Sequence, residues 1–360
     1  MATIEVEGGF GPPAVLTAAA PRRSHTAWRR IALGAIVVAA LGVEAGLFAT
    51  HVGNGAAFAD VRWGWLLAAI AAELISVASL GAVYRPLLRA GGVTVSRGRG
   101  VAFGAASSAI TATAPAGTAV ASAYLYRQFR RAGGSSALAG WTVTVAAGLS
   151  IAAFGAVVAA GSAIGAHSPV DSVWQVVGGG LATALVLVAA VTALTRRPDV
   201  LLRLLLPLYR RLPGRAENRA ARDDRLAASV AQLAAIRPGV RQWLLAASFA
   251  TLTWAADLAC FLLSLRAMGV AHVGLGAAAL AYGAGLATVS ISLIPGGIGT
   301  VEAGMLLGLT TAGAAGPAAL AGIVTYRVVA YVLVAAAGWT VWAFLRKMAP
   351  APAELVAPTR

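Results

Sequence analysis

Cysteine is almost absent from this chain. Cys260 stands alone in an apolar run, which excludes an internal disulfide and a cysteine metal cluster and suits a small packed residue better than a reactive thiol. Histidine is scarce as well: His25, His51, His167 and His272 are scattered without ligand spacing, so neither a metal site nor a cofactor is expected. Charge is thin, at 11% of residues, and lopsided, with 13 acids against 28 lysines and arginines and a net charge of +15. A basic excess of this size can signal nucleic acid, but no basic domain interleaved with aromatics exists, and the arginines collect between apolar runs; nucleic-acid binding is not expected. No Ser/His/Asp set and no pair of acids on one loop is found, so no catalytic residue is assigned and the chain is not expected to be an enzyme.

What is present is apolar surface, far beyond the needs of a soluble core: hydrophobic residues are 59% of 360. Apolar runs, several of them about 20 residues with few or no charges, lie at about 31 to 50, 63 to 83, 101 to 123, 137 to 160, 174 to 194, 243 to 265, 275 to 312 and 317 to 345. The fold expected is all-α, a polytopic transmembrane helical bundle. Arg29-Arg30, the run 31 to 50 and Ala57-Phe58-Ala59 together imitate a secretory signal, but the run is long for one; an uncleaved first span is expected.

The arginines orient the spans by the positive-inside rule. A cytoplasmic basic tail, 1 to 30, sends span one out and span two back to a loop with Arg85, Arg89, Arg97 and Arg99. The run 101 to 123 is followed by Arg127, Arg130 and Arg131, so a simple crossing would place three arginines outside. A re-entrant hairpin broken at Pro115-Ala116-Gly117 removes the conflict, and its wealth of Ser, Thr, Gly and Ala suits close packing or a polar cavity rather than lipid. The main soluble segment, 195 to 241, holds eleven arginines (196, 197, 203, 210, 211, 215, 219, 222, 225, 237, 241) and reads as cytoplasmic. Within it DVLLRLLLPLYRRLP is either an interfacial amphipathic stretch meeting anionic lipid or a basic linker. The run 317 to 345 ends at Arg346-Lys347 inside, before a cytoplasmic tail, 346 to 360. Residues 270 to 315 must then begin and end outside, as one hairpin or as two short spans. Of the 28 lysines and arginines only Arg62 and Arg266 fall outside and only Arg327 within the membrane. Trp63, Trp65, Trp174, Trp243, Trp339 and Trp342 mark span ends.

The expected architecture is therefore six full spans plus two Pro/Gly-broken re-entrant hairpins, or eight spans, in a single transmembrane domain, 31 to 345, with both termini cytoplasmic. Two halves resemble each other: RAGGVTV and RAMGVAH, Pro115 and Pro295, GGSSALAGWTV and AGPAALAGIVT. Repeat one covers about 63 to 160 and repeat two about 243 to 345. Their hairpins open to opposite sides by the arginine count, as inverted-topology repeats do around a substrate site near the midplane.

Glu44, Glu73, Asp257, Glu302 and Arg327 lie inside apolar runs, where each costs at least about 2.5 to 3.5 kcal/mol at a helix centre and must face the bundle interior. Glu44 and Glu73 read most simply as neutral acids or acids hydrogen-bonded to a neighbouring helix. Glu302 follows the break Pro295-Gly296-Gly297-Ile298-Gly299, where a helix N-terminus offers positive partial charge. Glu302 and Arg327 either neutralise each other, or the arginine holds a phosphate while the acid binds a proton or a headgroup amine.

The segments SLIPGGIGTVEAGMLLGL and ALAGIVTYRVVAYVL resemble the closing signature of the lysylphosphatidylglycerol synthase transmembrane region family, and APAGTAVASAYLYRQFRRAGGSSALA is similar to its earlier pattern. The resemblance implies a flippase-like, lipid-handling protein of the cell (inner) membrane that binds or translocates an anionic or aminoacylated lipid, and it carries the motif onto Pro295, Gly296, Gly297, Gly299, Glu302 and Arg327. Asp257, as a charge within a span, and Pro115 and Gly117, at the first break, are further candidates from the residues themselves. Ser122 stands where the second half has Glu302. No synthase domain follows residue 345, so aminoacyl transfer is not expected. Membrane lipids are the expected partners. The alternatives are a non-transporting partner of an envelope-lipid biosynthesis enzyme, docking through 195 to 241, and a membrane enzyme acting on a lipid-linked substrate. Oligomeric state is unknown from sequence.

Overall fold

The computed structural model describes residues 61–114, 116–165, 219–289, 297, 299–314 and 316–348. The expected spans 31 to 50 and 174 to 194, Glu44, Pro115, Pro295, Gly296 and the stretch 199 to 213 lie outside the described residues. Everything described is helix and short connections, with no strand: α1 Trp63–Ala90, α2 Arg97–Thr113, α3 Gly117–Arg131, α4 Ser136–Gly165, α5 Arg219–Ala234, α6 Val240–Ala267, α7 Leu275–Val289, α8 Thr300–Thr311, α9 Pro317–Arg327, a π-helical turn Val328–Leu333, and α10 Val334–Met348.

Four helical segments are long and apolar enough to cross a bilayer: α1, α4, α6 and the continuous run α9–π–α10. At 1.5 Å per residue the 28 residues of α1 reach about 42 Å, beyond the ~30 Å hydrocarbon core. Leu67, Leu74, Ile151, Leu252 and Leu307 are exposed, a surface made for acyl chains rather than water. Exposed Trp63 and Trp65 begin α1, at the depth where aromatic rings collect.

The centre of the bundle is the pair α1 and α6, which run antiparallel: the backbone N–H of Arg62, at the start of α1, donates to the carbonyl of Ala267, at the end of α6. One end of the pair therefore carries Arg62 and Arg266, and the other carries Arg89 and Arg241. One further pair of contacts is reciprocal, with α2 packed on α10 and α4 on α7.

Two broken segments fold back on themselves. In α2/α3, Phe103 and Phe129 meet edge to face at 5.8 Å, and a Cβ on Gly117 would collide with the Thr111 carbonyl, so the chain reverses between residues 111 and 117 and its limbs run antiparallel. Phe129 also packs on Tyr84 of α1 at 5.3 Å, which places the open end of this hairpin at the Arg89 end. In α7/α8 the small residues pair in opposite directions, Ala281 against Gly308 and Gly285 against Gly304; a Cβ on Gly304 would lie 2.9 Å from the Gly285 Cα. The Arg266 guanidinium donates to the carbonyl of Val273, two residues before α7, so this hairpin opens at the Arg62/Arg266 end.

The similarity of the halves reappears in their helix ends. After α1, the amide of Gly92 donates to the carbonyl of Arg89 and that of Val93 to Leu88; after α6, Gly269 donates to Arg266 and Val270 to Leu265. After α3, Gly133 donates to Arg130 and Gly134 to Phe129; after α8, Gly313 donates to Thr310 and Ala314 to Leu309. Gly92 and Gly269 both have φ of +82°, the left-handed conformation this closing turn requires. The RAGGV and RAMGV segments are thus one structural device used twice.

Candidate functional site

A cavity of about 1480 Å³ opens among α1, α2, α3, α4, α6, α7, the end of α8 and the π turn. It exceeds the usual ~300–1,000 Å³ of a small-molecule pocket and has room for a lipid headgroup with part of its chains. Most of its wall is apolar. The polar remainder is hydroxylic, with two carboxyls, Glu73 and Asp257, and no lysine or arginine among the described residues.

The hydroxyls have a direction. Ser107 donates to the Gly104 carbonyl at 2.8 Å, Ser122 to Thr118 at 2.8 Å, Thr253 to Phe249 at 2.9 Å and Thr311 to Gly308 at 2.8 Å. Each spends its proton on its own helix, which leaves oxygen lone pairs for the cavity. These four oxygens, with the two carboxyls, suit a ligand group that donates hydrogen bonds.

Asp257 is the most elaborately held of the polar groups. Its Oδ2 accepts from the Tyr282 hydroxyl at 2.7 Å and its Oδ1 from the Tyr326 hydroxyl at 3.0 Å. Both tyrosines are fully buried, and their rings stack with Phe261 and each other at 5.3 to 6.4 Å, which fixes the phenols in place. Glu73 of α1 comes from 184 positions away in the chain to lie within hydrogen-bond contact of Asp257. It is 6% exposed and its Oε2 accepts no hydrogen bond among the described residues.

Glu302 and Arg327 are brought together, but away from the cavity wall. The Arg327 Nε meets the Glu302 Oε1 at 2.6 Å, with the arginine side chain only 3% exposed and its guanidinium carbon 3.6 Å from the centre of the Tyr331 ring. The other oxygen of Glu302 accepts from the Gly299 amide at 2.6 Å, so the carboxylate also caps α8. Gly297 and Gly299 have φ of +64° and +84°, the turn of the broken segment that places Glu302 in the first turn of α8. Arg327 ends α9 where the helix widens into the π turn that carries Tyr331; single π turns often mark functional positions. The pair braces α8 against α9.

Gly117 begins α3 at the tip of the first hairpin, next to Ala116, whose φ of +50° is unusual for a residue with a side chain. Ser122, on the same limb, lines the cavity. Of the sequence candidates, Asp257 alone supplies charge to the cavity. The sequence reading of Glu73, a neutral acid or one hydrogen-bonded to a neighbouring helix, does not name Asp257 as its partner; the available signal is that α1 and α6, in the two halves, each carry one carboxyl near mid-length.

A helical bundle with bilayer-length apolar helices around a cavity of this kind defines a multi-pass membrane protein. The sequence is matched by the family model for the lysylphosphatidylglycerol synthase TM region over residues 28–338, and the chain belongs to that family. Membership places it among membrane proteins of lipid metabolism or transport. A comparison with curated proteins returns no match.

Proposed function

We propose that this protein binds a polar lipid and translocates it across the cell (inner) membrane, the headgroup entering the cavity by its hydrogen-bond donors. The observation that carries this reading is a polar wall that holds two carboxyls and no lysine or arginine among the described residues, which favours an amine-bearing, aminoacylated headgroup over one that presents only a phosphate. The two hairpins, open at opposite ends of the α1–α6 pair, with reciprocal packing and matched closing turns, support an inverted repeat whose halves rock to alternate access. The Arg89 end is read as cytoplasmic, with both termini on that side and no enzymatic step. In this mechanism Asp257 and Glu73 receive the headgroup, while Glu302 and Arg327 hold α8 to α9 as the halves move.

The test is transport in liposomes containing the purified full-length protein, with fluorescent lysyl-phosphatidylglycerol and fluorescent phosphatidylglycerol compared. Faster crossing of the lysyl lipid, lost in Asp257→Asn, is the expected result. Equal rates for both lipids, or an unaffected Asp257→Asn protein, would overturn the reading. A stoichiometric envelope-biosynthesis enzyme that co-purified with a transport-inactive chain would instead favour the docking role of the 195 to 241 segment.

A further inference from the structure

The two carboxyls of the cavity differ in what surrounds them. Asp257 takes a phenol proton on each oxygen, from Tyr282 and Tyr326, an arrangement that satisfies a carboxylate. Glu73 has no phenol donor; the described titratable groups near it are Asp257 and the Cys260 thiol on α6, a weak donor, with the tyrosines of α7 and α9 turned to Asp257. Tyr331 of the π turn lies beside Tyr326, and the Arg327 charge, already matched by Glu302, lies behind Asp257. A hydrogen bond between two carboxyls needs one proton between them. Geometry puts that proton on Glu73, as the donor to an Asp257 whose other neighbours all donate to it. Glu73 lines the cavity, and its Oε2 is buried and accepts no hydrogen bond among the described residues.

We infer that the Glu73–Asp257 pair is a proton-exchange site, at which a primary ammonium from the ligand takes the place of the proton shared by the two carboxyls. This rests on the headgroup reading above and names how that site is energised. The exchange balances: the Glu73 O–H bond breaks, its proton leaves to solvent through the cavity, and the incoming ammonium donates one N–H to Glu73 and another to Asp257. Total charge in the site is the same before and after, one positive group entering as one proton departs. The site never exposes two unneutralised carboxylates to a low-dielectric interior, the state that costs most there. A transporter built on this exchange moves an amine-bearing headgroup one way as a proton moves the other, and a pH difference across the membrane drives it.

The experiment uses full-length protein in nanodiscs with short-chain lysyl-phosphatidylglycerol as probe and short-chain phosphatidylglycerol as the amine-less control. Calorimetric titration in buffers of different ionisation enthalpy counts protons released on binding. Wild type is expected to release about one proton per lysyl probe, and its affinity is expected to rise with pH by up to about tenfold per unit wherever the empty site is protonated. Glu73→Gln, an isostere that keeps the amide donor to Asp257, is expected to bind the probe more weakly, with no proton release and a flat pH profile. If that variant does not fold, wild-type proton counts and pH slope decide alone. Binding of the lysyl probe by wild type with no proton released and no pH slope overturns the exchange while sparing the headgroup reading. Absence of binding overturns both, and equal proton release with the control overturns the assignment to the ammonium.

Discussion

Replacing Glu302 separates its two roles. The carboxylate is bound to Arg327 at 2.6 Å and to the Gly299 amide at 2.6 Å, with the arginine 3% exposed. Glu302→Gln keeps an oxygen for the Gly299 amide but removes the negative charge, leaving the Arg327 charge without its carboxylate; breaking such a buried pair costs about 3–5 kcal/mol. Glu302→Ala also loses the cap, adding about 1 kcal/mol. Arg327→Met leaves Glu302 still accepting from Gly299 at the positive end of α8, and is expected to cost about 1–3 kcal/mol. The double variant Glu302→Gln/Arg327→Met has no lone charge and should lie nearer wild type than Glu302→Gln does, a coupling of about 2–3 kcal/mol. Reversible unfolding in mixed micelles with increasing dodecyl sulfate measures all four proteins. If the double variant lost the sum of the singles, with coupling under about 0.5 kcal/mol, the brace between α8 and α9 would be refuted.

Other consequences follow from single contacts. Gly308→Val would drive a side chain into the Ala281 backbone and separate α7 from α8; a loss of at least about 2–3 kcal/mol in the same unfolding assay is expected, against under about 1 kcal/mol for the uncrowded Gly140→Ala. Tyr326→Phe removes one of two phenol donors to Asp257 and should cost about 1–3 kcal/mol, with Tyr282→Phe similar and the double variant unable to bind the lysyl probe by calorimetry. Single cysteines at Arg130 and Gly313, in a Cys260→Ala background, should react with an impermeant maleimide from opposite faces of the membrane, Arg130 from inside and Gly313 from outside; labelling from the same face would remove the inverted-repeat reading.

The bilayer explains why the sequence was informative on so much of the fold. Length and apolarity alone mark α1, α4, α6 and the last span, because a helix must satisfy its own backbone in lipid. The breaks were legible for the same reason: Pro115-Ala116-Gly117 and Pro295-Gly296-Gly297 are residues a continuous span avoids, and arginines at 127, 130 and 131 required the chain to return. Helix ends were less legible. The run 63 to 83 continues as helix to Ala90, through Pro86, because its last turns pack against α2, α3 and α4 rather than lipid.

The sequence by itself determined the class of this protein, its family, its two Pro/Gly-broken segments and the short list of charges that must face inward. Only the tertiary structure decided which of those charges meet. Glu302 and Arg327, close in sequence, pair with each other behind the wall, while Glu73 and Asp257, in different halves, form the polar centre of the cavity. The physical reason lies in the helices: apolar on nearly every side, they carry no amphipathic stripe to announce which face turns inward. Their rotation is set by where small residues let backbones approach, as at Gly304 on Gly285, and that is settled between helices rather than along any one of them.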